Sequence, residues 1–207
     1  VESVTKAMRV SIAPRGYAYS ATGVTGTVAA ALASGGAVFT MRNDASSAKR
    51  VFIERIRLQY TTIVAYTTPV TAGRRLHLVR STVSSANPSG GTAIVPVAKS
   101  SLHTDSECST AGGGDTRIST TGALTVTGTT WDTAVIRAVT LVHLGAAGAF
   151  GEFLLEFAAS ESAPVILEPG QALGIVAGQA FDAAGTWNLA VNVDYHDAVL
   201  YSDTASE

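Results

Sequence analysis

The chain has 207 residues, a formal net charge of −2, 14% charged side chains and one cysteine. That length suits one all-β domain around one core, and the charge balance gives no global field to draw nucleic acid or an anionic membrane. Cys108, being alone, excludes an intrachain disulfide, no apolar run approaches a membrane helix, and no stretch reads as a signal peptide.

Charged residues fall well short of the roughly 25% of an average soluble domain, and Ala, Thr, Ser, Gly and Val take their place. Such a composition suits sheets whose outer faces are covered, and so favours a subunit of an assembly.

Residues 1–35 read as an extended N-terminal arm with Lys6, Arg9 and Arg15 as its basic groups. Met8, Val10 and Ile12 alternate as a short strand until Pro14 stops the pattern. Val24–Ser34 lacks the polar face of a helix and carries too much Thr and Gly for one. A single β-sandwich is predicted over 36–200, followed by a tail over 201–207.

Within the sandwich, Ala37–Arg42 reads as a strand and Asn43–Ser47 as a polar turn. In Val51–Thr62, Phe52, Ile56, Leu58 and Tyr60 are placed on one face, and Arg55, Arg57 and Gln59 on the other. Glu54 interrupts the apolar face, which predicts a bulge or an edge there. Arg74–Val83 is the next strand, with Leu76 and Leu78 inward. Asn87–Gly91 is a loop, and Pro96 confines Ile94–Val97 to an edge. Ser100–Thr116 has no periodicity and reads as a long exposed excursion. Arg117–Thr127 is predicted as a hairpin about Thr121-Gly122, and strands follow over Ala134–Leu144 and Glu152–Ala158.

The most informative stretch is Pro164–Asp197. Two apolar runs flank Glu168-Pro169-Gly170-Gln171, where Pro169 and Gly170 meet the requirements of a type II turn and read as a hairpin corner. The closing segment turns Leu189, Val191, Val193 and Tyr195 to one face and Asn188, Ala190, Asn192, Asp194 and His196 to the other. Near-regular strands with turns between them predict an all-β jelly roll, or else a simpler Greek-key sandwich.

Motifs for chemistry are few. There is no nucleophile elbow, phosphate-binding loop or His-Glu-x-x-His, and Gly112–Gly114 lacks the lysine and helix that would make it one. His103, Asp105, Glu107 and Cys108 could in principle meet a metal, but their spacing matches no zinc pattern, and a solvated loop is the plainer reading. Glu54, Glu152, Glu156, Glu161, Glu168, Asp182 and Asp194 include no pair that spacing brings together for glycoside hydrolysis. His77, His143 and His196 read as strand histidines. The arginines at 50, 55 and 57 and at 74, 75 and 80 read as solvated faces or subunit ion pairs rather than phosphate contacts. Trp187 reads as core, while Trp131, Tyr66 and the 100–116 loop are the residues a sugar could use. No catalytic, cofactor-binding or metal site is assigned.

The segments KRVFIERIRLQY, PVILEPGQALGI and GTWNLAVNVDYHD, together with the low charge, resemble β-sandwich virion proteins of tailed bacteriophages over residues 36–197. The resemblance implies a non-enzymatic structural protein of the virion. Its expected form is a capsid decoration or cement subunit, assembled in the host cytoplasm as a homotrimer. The expected partners are the major capsid protein or other virion proteins, with no direct nucleic acid and no membrane. A neck, tail or fibre position and a glycan-binding jelly-roll module stand as alternatives, and a jelly-roll esterase or glycosidase lacks its motif.

Overall fold

The structure, a computed structural model, describes residues 17–29, 31–66, 73–101, 105–141, 147–148, 150–157, 164–181 and 185–199. Among them there is no helix. The strands are β1 (Tyr17–Val24), β2 (Val28–Ala29), β3 (Ala37–Arg42), β4 (Lys49–Val64), β5 (Arg74–Ser84), β6 (Thr92–Ala93) and β7 (Val97–Ala98). They continue with β8 (Asp115–Ile118), β9 (Thr129–Trp131), β10 (Arg137–Leu141), β11 (Phe150–Glu156), β12 (Val165–Leu167), β13 (Ala172–Ala177) and β14 (Thr186–Val199).

Two antiparallel sheets pack face to face. The first runs β11-β4-β14-β1-β7, with β12 beside β11 on β4 and β2 beside β1 on β14. The second runs β10-β5-β13-β3-β8-β6, with β9 also on β5. Eight strands have five residues or more: β1, β3, β4, β5, β10, β11, β13 and β14. Counted in chain order, the first pairs with the eighth, the second with the seventh, the third with the sixth and the fourth with the fifth. One long hairpin rolled up on itself has that order, and it is the order of a jelly roll.

The core follows from alternation. β14 sends Trp187, Leu189, Val191, Val193 and Tyr195 inward, and all five are buried. Facing them are Phe39 and Met41 of β3, Leu76 and Leu78 of β5, and Leu173 and Ile175 of β13. Burying each such side chain stabilises the fold by about 1.5–3 kcal/mol. β3 and β13 are buried on both faces. The outer face of the second sheet carries a smaller cluster, Ala37, Val79 and Val176, covered by Leu124 with Val126 and Trp131. The covered face that the composition asks for is thus partly supplied by the chain itself.

In β4 the pairing with β14 steps from Arg55↔Asp194 to Ile53↔Tyr195, so Glu54 is the extra residue of a β-bulge. The bulge expected at Glu54 is present, and it reverses the inward parity of the strand. Val51 and Ile53 face the core on one side of it, and Ile56, Leu58 and Tyr60 on the other. Phe52 is consequently not on the face of Ile56: it lies outside, stacked on His196 with ring centroids 4.9 Å apart.

Four further expectations change. Gly170 has φ 76° and the Gln171 N–H donates to the Glu168 carbonyl at 3.0 Å, as the turn requires. Yet β12 pairs with β4 in the first sheet and β13 with β3 and β5 in the second, so the corner is a crossing between sheets and not a hairpin. The described part of 100–116 is not an exposed excursion, because Ser106, Cys108 and Ser109 are buried. Gly112 and Gly114 let it fold flat: a Cβ there would stand 2.1 Å from the Ser106 carbonyl oxygen and 2.0 Å from that of Glu107. The stretch 117–127 turns at Thr121-Gly122 but is no hairpin, since β8 pairs with β3 and β6 while Leu124 bridges to Ala37. Finally, Tyr17–Val24, inside the span read as an arm, is an interior strand between β14 and β7. Met8, Val10 and Ile12 lie outside the described residues.

Candidate functional site

The outer face of the first sheet is the one large face that stays polar in the described structure. Alternation places Ser20 and Thr22 of β1, Asn192 and Asp194 of β14, and Arg55, Arg57 and Gln59 of β4 on it. With Lys99, which follows β7, they line a shallow trough of about 480 Å³. The bulge matters here, because it sets Arg55 directly opposite Asp194 in the register.

The trough is held by a hydrogen-bonded network. The Arg55 Nε–H donates to Asp194 Oδ2 at 2.9 Å, and Lys99 Nζ stands 2.9 Å from the other carboxylate oxygen. Burial alone would raise the Asp194 carboxyl, but the hydrogen bonds from Lys99 and Arg55 outweigh it and hold it below the ordinary carboxylate range. The same contact, first the hydrogen bond and then the charge of Asp194, raises the Arg55 guanidinium. Arg57 pairs with Glu152 at 3.2 Å, and the Gln59 amide donates to the same carboxylate at 3.2 Å. The Asn192 amide donates to Ser20 Oγ at 3.2 Å and to Thr22 Oγ1 at 2.6 Å.

The trough is flanked by apolar edges. Phe150 and Leu154 of β11 are 73% and 47% exposed, and Val97 of β7 is 68% exposed on the opposite side. A polar floor between apolar rims, with Arg55 and Lys99 sharing Asp194 and Arg57 on Glu152, has the chemistry of a binding surface. Near its end, His196 Nδ1 lies 3.0 Å from Glu54 Oε1. No hydroxyl or thiol is hydrogen-bonded to that imidazole among the described residues, so the pair is not part of a nucleophilic triad there.

The remaining candidates scatter. Glu107 pairs with Lys49 at 2.8 Å, Asp105 is exposed, and Cys108 is fully buried, with burial pushing its thiol well above the ordinary range. His103 lies outside the described residues, and among those described no group of three potential metal ligands occurs. Arg50 pairs with Glu168 at 2.7 Å, and Arg80 reaches Asp132 at 3.7 Å. These arginines therefore serve intrachain pairs. Glu161, Asp182 and His143 lie outside the described residues, and His77 packs against Gly178.

The aromatic residues assigned to a sugar are placed elsewhere. Trp187, which reads as core, is buried there. Tyr66 is buried under Arg74, whose guanidinium carbon sits 3.7 Å above the ring. Trp131 is half-buried and its ring covers Gly174, where a Cβ would meet it at 2.5 Å. Ser20, Thr22 and Lys99 escaped sequence reasoning. Their only signal was the small and amide side chains, Ala190 and Asn192, on the polar face of β14, where a free surface usually carries charges.

No family model, curated protein or solved structure matches this chain.

Proposed function

We propose that this chain is a non-enzymatic structural subunit of a tailed-bacteriophage virion, a jelly roll that decorates or cements the capsid as a homo-oligomer, most simply a trimer. The observation that carries the reading is the β11 edge. Among the described residues this seven-residue strand pairs on one side only, with β4, and presents Phe150 and Leu154 to solvent. A long edge strand with exposed apolar side chains is a template for association unless a partner covers it. Low charge and small side chains favour close packing between subunits, and the paired charges of the trough favour specificity over chemistry.

The test is the native mass of the purified chain, followed by co-sedimentation with capsid shells. An oligomer that binds shells supports the reading, and a monomer at all concentrations that binds none overturns it. Binding to isolated necks, tails or fibres instead of shells would move the subunit to one of those positions.

The trough gives a glycan-binding module its one foothold, through Arg57, Gln59 and Asn192. That reading predicts glycan-array hits that are lost in Asn192→Ala and unaffected by Trp131→Ala.

A further inference from the structure

The side of the sandwich bounded by β11 and β12 leaves its core incompletely covered. Phe153 and Leu155, the inward side chains of β11, are only partly buried where they pack on the core, and so are Ile136 and Val165 beside them. On the outward face of the same strand Glu152 and Glu156 are exposed, and Glu156 has no ion pair among the described residues. Among the described residues the edge therefore offers an unpaired backbone, an apolar inner flank and an outer flank on which Glu152 and Glu156 alternate with Phe150 and Leu154. A strand that fits must alternate, with apolar residues at every second position and a cation between them.

The chain contains such a segment in Thr5-Lys6-Ala7-Met8-Arg9-Val10-Ser11-Ile12. We infer that residues 5–12 of a second copy of this chain dock on β11 as an added strand, with Met8, Val10 and Ile12 beside Phe153 and Leu155 and with Arg9 toward Glu156. The inference deepens the homo-oligomer reading and rests on it. Its chemistry is β-augmentation: backbone hydrogen bonds supply affinity, and alternate side chains supply register.

Geometry favours a second copy over the chain's own segment. Tyr17 stands in the row of Asp197 and Val51, and β12 occupies the edge of β4 at that row. To reach the outside of β11, the same chain must cross four strand spacings, roughly 19 Å, and then pass β12, roughly 10 Å more. The direct diagonal is roughly 21 Å, and fully extended chain covers about 3.3–3.6 Å per residue, so even the shortest path takes about six residues. That consumes Ser11–Gly16 and Ile12 with it, so the chain's own segment cannot lay residues 5–12 on β11. A neighbour's segment has no such tether.

The test pairs truncation with cross-linking. The full chain and a variant lacking residues 1–16 are compared by native mass, and the variant is expected to be monomeric with an unchanged β circular-dichroism spectrum. In the full chain, the double variant Ser11→Cys/Glu156→Cys is treated with a short bismaleimide, the native Cys108 thiol being buried. Covalent multimers on a denaturing gel are expected, and Val10→Asp should raise the subunit dissociation constant by about tenfold or more, the equivalent of burying one valine. If the full chain is an oligomer but cross-links form only within a chain, or not at all, this inference falls and the assembly reading stands. A monomeric full chain overturns both. If the truncated variant does not fold, the cross-link decides.

Discussion

Asp197 shows how much one buried carboxyl can govern. Its Oδ2 accepts the Glu107 N–H at 3.2 Å, while Oδ1 has no hydrogen-bond partner among the described residues. Burial pushes this group up to about 7, the Glu107 N–H and Lys49 offset part of that, and the Glu107 carboxylate adds to it. An unfolded aspartate titrates near 3.9, so between roughly pH 4 and 7 the folded chain keeps a proton that the unfolded chain has lost. Stability must then fall as pH rises through that window, by up to about 4 kcal/mol. Asp194 acts with the opposite sign and below it, because its lowered carboxyl loses stability only as pH falls through its folded value. Urea midpoints from pH 4 to 8 should decline in the native chain and stay level in Asp197→Asn; parallel slopes would remove Asp197 as the cause. Gly114 is a second residue under constraint. A Cβ there would stand 2.0 Å from the Glu107 carbonyl oxygen and 2.4 Å from that of Arg42. Gly114→Ala should cost more than about 2 kcal/mol by calorimetry, whereas Gly122→Ala, with nothing within 4 Å, should change stability by less than about 0.5 kcal/mol.

Among the elements, β4 depends on its bulge. Deleting Glu54 turns Val51 and Ile53 outward and costs about 3–6 kcal/mol, twice the value of one buried aliphatic side chain. Glu54→Ala, which keeps the register and loses only a half-exposed pair with His196, should cost less than about 1 kcal/mol. Equal losses in urea denaturation would mean that the bulge does not set the register. This strand also marks how far sequence reasoning reaches. Ala37–Arg42 was legible to the residue, and the Glu54 bulge was legible because a charge broke an apolar stripe. Phe52 was misplaced because parity changes across a bulge, which a fixed period of two does not follow. The Pro169-Gly170 turn was legible from its chemistry, but the sheet each flanking strand joins is decided by long-range pairing and left no local mark. The trough was hidden for the same reason, since Ser20 and Asn192 are neighbours only because β1 pairs with β14.

For the whole molecule, stability and assembly should separate. Phe150 and Leu154 are exposed, so Phe150→Ser/Leu154→Ser should shift folding stability by no more than about 1 kcal/mol while lowering the native mass to that of a monomer. An oligomer that survives both changes would place the contact elsewhere. Added salt should weaken the association only modestly, because the trough charges are paired within the chain and the edge contact is largely apolar.

The position of β14 has a kinetic consequence. It lies between β4 and β1 in the first sheet, pairing Tyr17 with Asp197, although it follows every other described strand. The first sheet therefore cannot close during synthesis until almost the whole described chain has left the ribosome. Contacts so distant in sequence make a slow folder, in the millisecond-to-second range typical of all-β domains. A nascent or prematurely terminated chain holds the facing flanks of β1 and β4 open to each other's copies, and chains ending before Thr186 should accumulate as aggregates rather than as partly folded monomers.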